Sequence, residues 1–189
     1  MTDLPSPFLI GDHPGADALN SRCAPSGEWL DWWRDGASFL DWMRVAGRLD
    51  RVPVADQAML DEIAAEARDL REAVRTHLDE GAPVPLQALN AALARAPWAD
   101  QLLIGDDGGV KPACLASGAD RLLATVARDM ANFLSLDNPE RTRQCQGPTC
   151  TLWFRDTSRT NRRRWCSMAV CGNRAKVAAH RARTRDAEV

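Results

Sequence analysis

Cys145-Gln146-Gly147-Pro148-Thr149-Cys150, followed after fifteen residues by Cys166-Ser167-Met168-Ala169-Val170-Cys171, is the stretch that decides how this 189-residue chain ends. Zinc prefers four thiolate or imidazole ligands in a tetrahedron, and two ligand pairs on two turns supply them. Two residues within a pair are commoner than four. Gly147 and Pro148 favour the tight bend that turns both sulfurs of the first pair inward. Cys171 runs through Gly172 and Asn173 into a helix-like stretch, so it is expected in that helix's first turn. A thiolate there meets unpaired amides and the positive end of the helix dipole. All four positions are sulfur, which leaves no open coordination place and implies one structural zinc ion, not a catalytic one.

Size points the same way. Residues 141–185 offer Leu152, Trp153, Phe154, Trp165, Met168 and Val170 as large apolar groups, with Val177 beyond the last cysteine, too few for an independent core. A structural zinc contributes on the order of 10–16 kcal/mol to comparable modules. Two disulfides, or four unrelated buried thiols, are the alternatives. Clustered cysteines without a secretion signal argue against both. Cys23 and Cys114 stand alone and are expected to be small buried hydrophobes. Between the pairs, residues 151–155 and 162–165 read as two short strands. Asp156-Thr157-Ser158 reads as a turn whose side chains bond nearby amides. Trp153 and Phe154 could pack or stack on bases, and packing is the expectation because a tiny core needs its aromatics.

The surroundings are basic. Residues 141–189 carry 12 Lys/Arg against 3 Asp/Glu, whereas residues 1–140 carry 12 against 23. The net charge of −2 therefore hides two regions of opposite sign, and a basic end is the footprint of a polyanion partner. Arg159, Arg162, Arg163 and Arg164 cluster on the turn. Arg174, Lys176, His180, Arg181, Arg183 and Arg185 follow on a helix expected over 173–185. Its Ala175, Ala179 and Ala182 would form a small face able to approach the module. Phosphates favour such ridges because neutralising them releases counterions, and arginine's planar fork suits phosphates and guanine edges. Nucleic acid is the expected partner. Duplex DNA and RNA are not separable on these grounds, and docking onto an acidic protein surface is the competing reading.

Outward from the module, Asn138-Pro139 and the change of charge place a boundary near 137–143, giving domains 1–138 and 141–185. The first reads as mostly helical. Ser38 with Asp41 resembles a capping box ahead of Phe39, Met43 and Ala46. Leu60, Ile63, Ala67, Leu70, Val74 and Leu78 repeat at helical spacing over roughly 54–79, stopped by Gly81 and Pro83. Leu86, Leu89 and Leu93 mark a shorter helix ended by Pro97. Residues 98–104 and 110–115 read as strands joined at Gly105-Asp106-Asp107-Gly108-Gly109, with Pro112 at an edge. Ser117 and Asp120 then cap a helix over about 118–135 that buries Leu122, Val126, Met130 and Phe133. Residues 5–36, broken by Pro and Gly yet rich in Trp, read as a structured cap with a short strand or turn at 7–11 and a short helix near 14–21. The start lacks a signal peptide's cationic and apolar pattern, and no uncharged apolar stretch reaches the roughly 18 residues that span a bilayer. A cytoplasmic protein without membrane contact is expected.

The quoted cysteine pairs, with Phe154-Arg155-Asp156-Thr157-Ser158-Arg159 between them and Cys171-Gly172-Asn173-Arg174 at the end, resemble the CGNR zinc finger. In that family the finger follows an ABATE domain. Residues 11–22 resemble that domain's opening motif, and Leu40-Asp41-Trp42 with Ala46-Gly47 resembles its next helix. Gly15 and Ala18 depart from the pattern, which is usually bulkier there. The resemblance covers essentially the whole chain. It implies a mostly helical N-terminal domain able to sense a ligand, a treble-clef-like finger, and a stress-responsive transcriptional regulator of bacteria.

His13, Asp17, Asn20 and Arg22, beside Trp29, could line a small-molecule pocket or serve as turn and cap residues. No nucleophile–base pair is visible, so no catalysis is expected. His77 on a charged helix is expected to be solvated. Two functions from different classes remain: a DNA-binding regulator with a ligand-sensing domain, and an adaptor whose finger binds protein.

Overall fold

The computed structural model describes residues 4–49, 53, 55–96, 98–105, 107–114 and 118–187. By contact the chain forms two compact bodies that do not follow chain order. The chain up to Asp31 groups with the chain from Phe133 onward, and Trp32–Asn132 forms the other body.

The body Trp32–Asn132 is mostly helical, with one small hairpin. Helix α2 spans Gly36–Val45, α3 Gln57–Glu80, α4 Leu86–Arg95 and α5 Asp120–Leu134, the last reaching into the other body by two residues. Asp35 caps α2, accepting from the Ser38 amide at 2.8 Å while the Ser38 hydroxyl accepts from the Asp35 amide. The capping box thus lies three residues before the Ser38–Asp41 box expected. Asp35, in extended backbone, is the first residue able to reach a free amide, and Asp41 instead pairs with Arg44. Asp56 caps α3 through the Met59 amide. Gly81 ends it with φ 73°, a left-handed conformation that glycine adopts without a Cβ penalty. His77 is not merely solvated, for its Nδ1 lies 2.5 Å from the Ala82 carbonyl just past that cap.

Leu60, Ile63, Ala67, Leu70 and Val74 form the buried stripe of α3 and Leu122, Val126 and Met130 that of α5, as their spacing predicts. Trp33 is fully buried, with Phe39 and Trp42 edge-on at 5.0 and 5.1 Å and the buried Arg71 guanidinium 5.0 Å from its ring. Such a cation over an indole face is attractive once desolvated. Gly36 lets α2 start directly on α3, since a Cβ there would lie 2.4 Å from the Leu60 Cβ. Burial pushes the Asp129 carboxyl up in pKa, and Arg48 opposes this through a two-pronged ion pair.

Strands β3 (Trp98–Ile104) and β4 (Val110–Cys114) pair antiparallel, with Leu102 opposite Pro112 and Ile104 opposite Val110. A sheet of two strands has only edges, which is where proline is tolerated. The cap expected at Ser117, the stop at Pro97 and the side chain of Cys114 lie outside the described residues.

The other body is built around the finger. Helix α1 (Pro14–Asn20) leads into β1 (Arg22–Cys23), which pairs with β2 (Leu30–Asp31). Residues 7–11 form no strand. A 3-10 turn at Pro139–Arg141 precedes β5 (Thr142–Gln144), which pairs antiparallel with β6 (Trp153–Arg155). A π-helical turn at Met168–Gly172 opens into α6 (Asn173–Ala187). Of the two strands expected between the cysteine pairs, 153–155 forms and pairs with 142–144, whereas 162–165 forms no strand. The cysteine pair sits in the turn between β5 and β6 and brings these two strands together, while the 162–165 segment meets that turn by a backbone bond from the Gln146 amide to the Arg164 carbonyl at 2.9 Å.

Candidate metal centre and its basic surround

The first sulfur pair is held by backbone. The Cys145 amide donates to the Leu152 carbonyl at 2.8 Å and the Cys150 amide to Gly147 at 3.0 Å, closing the bend that glycine and proline favour. Gly147 has a packing role as well, because a Cβ would lie 3.0 Å from the Cys150 Cβ and 3.4 Å from the Cys171 sulfur. The second pair uses the π-helical turn. The Ser167 side chain accepts from the Val170 amide at its start, and Cys171 is buried one turn ahead of α6.

All four sulfurs are buried and lie within 4.8 Å of one another. Cys150 and Cys166 are 3.8 Å apart, Cys166 and Cys171 3.6 Å. A tetrahedron with zinc–sulfur bonds of about 2.3 Å has edges of about 3.8 Å, so the cage has the size zinc requires. The proton balance agrees. Hydrogen bonds from Cys150 and then Cys166 draw the Cys145 thiol down to about 2, and the same sharing pushes Cys150 up to about 12 and Cys166 upward too. Metal ligation needs deprotonated sulfur, so binding a cation there is coupled to release of the protons that Cys150 and Cys166 hold. The four cysteines form a single zinc site, closed by protein sulfur, and the ion holds the finger together.

Around it, Asp156 organises the turn. It is wholly buried, accepts from the Ser158 amide at 2.9 Å and the Arg163 amide at 2.9 Å, and has Arg143 at 3.7 Å. Burial alone would raise its carboxyl, but the hydrogen bonds from Ser158 and Arg163 and the charge of Arg143 outweigh it and leave it lowered. A carboxylate lowered in the folded state adds stability that is present above about pH 4 and lost as pH falls through the lowered value. Asp156→Asn is therefore expected to cost about 1–3 kcal/mol at neutral pH. The gap to the native protein should shrink towards pH 3 in denaturation curves followed by tryptophan fluorescence. A gap that does not change with pH would contradict this role.

The expected nucleic-acid residues divide into two groups. Arg163 is committed to the fold. Its guanidinium stacks 4.4 Å from the Phe154 ring, donates to the carbonyls of Trp165 and Cys166, and pairs with Asp12. Arg174 donates to the Pro25 carbonyl at 2.6 Å and to the Ser26 hydroxyl. Arg164 bonds Gln146 at 2.7 Å and lies over Trp165, although it is exposed. Arg159, Arg162, Lys176, Arg181 and Arg183 are exposed, with no side-chain partner among the described residues, and His180 is exposed beside them on α6. Of the alanine face expected to approach the finger, Ala175 is half-buried but Ala179 is exposed, and the Ala182 side chain lies outside the described residues. Among the described residues the last side-chain bonds from α6 to another element are those of Arg174, so the helix runs on past the finger.

The residues expected to line a pocket are drawn together, but by structural bonds. His13 caps α1 by accepting from the Gly15 amide at 3.0 Å, and its ring lies 5.2 Å from Phe133. Asp17 accepts from the Gly11 amide at 2.8 Å. Arg22 stacks 4.4 Å over Trp29. Asn20, fully buried, bonds both the amide and the carbonyl of Trp153 at 2.8 Å. The roles of Asn20 and Arg163 escape sequence reasoning in part because Trp153, the partner of Asn20, and Asp12, the acidic partner of Arg163, each lie more than 130 residues away. The one local signal for Asn20 is an amide on the last turn of a helix that, apart from Asp17, is small and apolar.

Comparison with known families places residues 141–184 in the CGNR zinc finger. Residues 12–136 match the ABATE family, described as "Putative stress-induced transcription regulator". A comparison with curated proteins returns no significant match.

Proposed function

Because the chain belongs to the ABATE family and ends in a CGNR zinc finger, we propose that it regulates transcription by binding duplex DNA through the finger, under control of a small ligand. The observation that carries this reading is the set of uncommitted cations around the metal: Arg159 and Arg162 on the turn, Lys176, Arg181 and Arg183 on α6. Arginines 141, 143, 155 and 163 are spent on carbonyls of the finger and the segments beside it. Arg164 and Arg174 are bonded as well. The five named cations make no side-chain bond among the described residues, and a ridge of unpaired cations, four of them guanidinium groups, suits phosphates. The ion does no chemistry in this reading; it fixes the turn and the root of α6. Support for a ligand comes from a hollow of about 460 Å³ whose lining includes Glu66, Leu70, Ala73, Ala92, Arg95 and Leu123, within the usual range of small-molecule sites. No helix is long and apolar enough to cross a membrane, and action in the cytoplasm belongs to the same proposal.

The double variant Arg159→Ala, Arg162→Ala tests it. Duplex DNA affinity is expected to fall at every sequence, with the salt dependence shallower by about 1.8 in log–log slope for two lost phosphate contacts. Zinc content should stay at the native value. Unchanged DNA affinity would remove the turn from the interface and favour a protein-docking finger.

A further inference from the structure

We propose that α6 is the element that reads base sequence, lying in the major groove with Val177, Ala178 and Arg181 against the base edges. This rests on the DNA-binding reading above and adds which part of the finger discriminates.

The helix has 15 residues, a length of about 22 Å, and a major groove about 12 Å wide admits it. From Lys176 onward every described side chain on α6 is exposed. Two features set one face apart. Val177 and Thr184 are seven residues apart on α6 and so share a stripe. Val170, in the π-helical turn ahead of the helix, lies along the same hollow as Val177, and the two valines are 45% and 49% exposed. The hollow is shallow, about 500 Å³, and is lined by Val170, Val177, Ala178 and Arg181 among others.

The charge around the stripe identifies what covers it. Over Asn173–Ala187 the sequence has five Lys/Arg against Asp186 alone. A second copy of the chain would set these cations against their own counterparts, whereas a duplex presents phosphates on both walls of its groove. Methyl groups between arginines match the groove's chemistry. Aliphatic side chains contact the thymine methyl, and arginine takes the two acceptors of guanine. The turn cations Arg159 and Arg162 then hold phosphates and fix the register without reading sequence.

The test uses full-length zinc-loaded protein to enrich duplexes from a random pool. Each thymine of the enriched duplex is then replaced by deoxyuridine, which removes only the methyl group. Native protein is expected to lose about three- to tenfold affinity at one or two positions, a methyl's worth of burial. Val177→Ala should lose nothing further there, and Arg181→Ala should relax the choice of one guanine by tenfold or so. Val177→Ala should bind unselected DNA within about twofold of the native protein, since it removes no charge. Arg181→Ala removes one of the five cations and should bind unselected DNA several-fold more weakly, so its discrimination between sequences is the quantity read. If the variants enrich the same sequence with the same discrimination, α6 is not the reader, although the DNA-binding reading stands. A DNA-free dimer that Val177→Glu converts to a monomer would also overturn the assignment, by showing the stripe covered by a second copy. Absence of any duplex binding would overturn both.

Discussion

Replacing Cys166 with serine is expected to strip the zinc from the protein and unfold the finger. Cys166 sits within 3.8 Å of two other sulfurs, and its own amide bonds the Cys145 sulfur at 3.3 Å. It therefore supplies one ligand and orients another. A structural zinc contributes on the order of 10–16 kcal/mol in modules of this kind, and the apolar groups buried inside the finger, chiefly Leu152, Trp153 and Phe154, are too few to replace it. Metal analysis should fall from one zinc per chain to almost none. Proteolysis should then cut within 141–187 while Trp32–Asn132, with its own core, stays protected. Cys23→Ser is the control: Cys23 is buried in β1, outside the sulfur cluster, and this variant should keep its zinc. A Cys166→Ser protein with full metal content and an intact finger would contradict the site.

The second large effect is expected at Asn20. Its side-chain amide bonds both backbone groups of Trp153, as a paired strand would, and so occupies the edge of β6 that β5 leaves open. Replacement by alanine leaves a buried N–H and a buried carbonyl without partners, each costing about 1–3 kcal/mol, or roughly 2–5 kcal/mol together. Urea denaturation followed by near-ultraviolet dichroism should show the loss, with zinc still bound in the folded protein. Asn20→Asp should do no better, since a carboxylate accepts from the amide but offers nothing to the carbonyl. Wild-type stability in either variant would show that α1 does not support the finger.

These two residues also mark how far the sequence could be read. The four cysteines were legible because metal ligation depends on residue type and spacing, both of which are local. The α3 stripe from Leu60 to Val74 and the β3–β4 hairpin were legible for the same reason, being written in periodicity and in glycine. The α2 cap was misplaced by three residues because Asp35 and Ser38 both cap well, and the choice depends on where the chain enters the helix. Asn20 reads equally as a pocket residue or as a turn or cap residue, because a polar cluster carries no mark of what it bonds, and its partner is 133 positions away. Arg163 looked like its neighbours Arg162 and Arg164. Only the fold shows that Phe154 and Asp12 claim it and leave Arg162 exposed. The same distinction turns a count of basic residues into a surface, since donors spent on carbonyls are no longer free for phosphates.

The central claim is that the zinc site presents those uncommitted cations to a duplex. Its most direct test is the affinity of zinc-loaded protein for duplex DNA across a salt series. With five cations engaged, log affinity should fall linearly against log salt with a slope of about −4 to −5, and removing the metal with a chelator should abolish the binding. A flat salt response, or binding that survives loss of the metal unchanged, would contradict it.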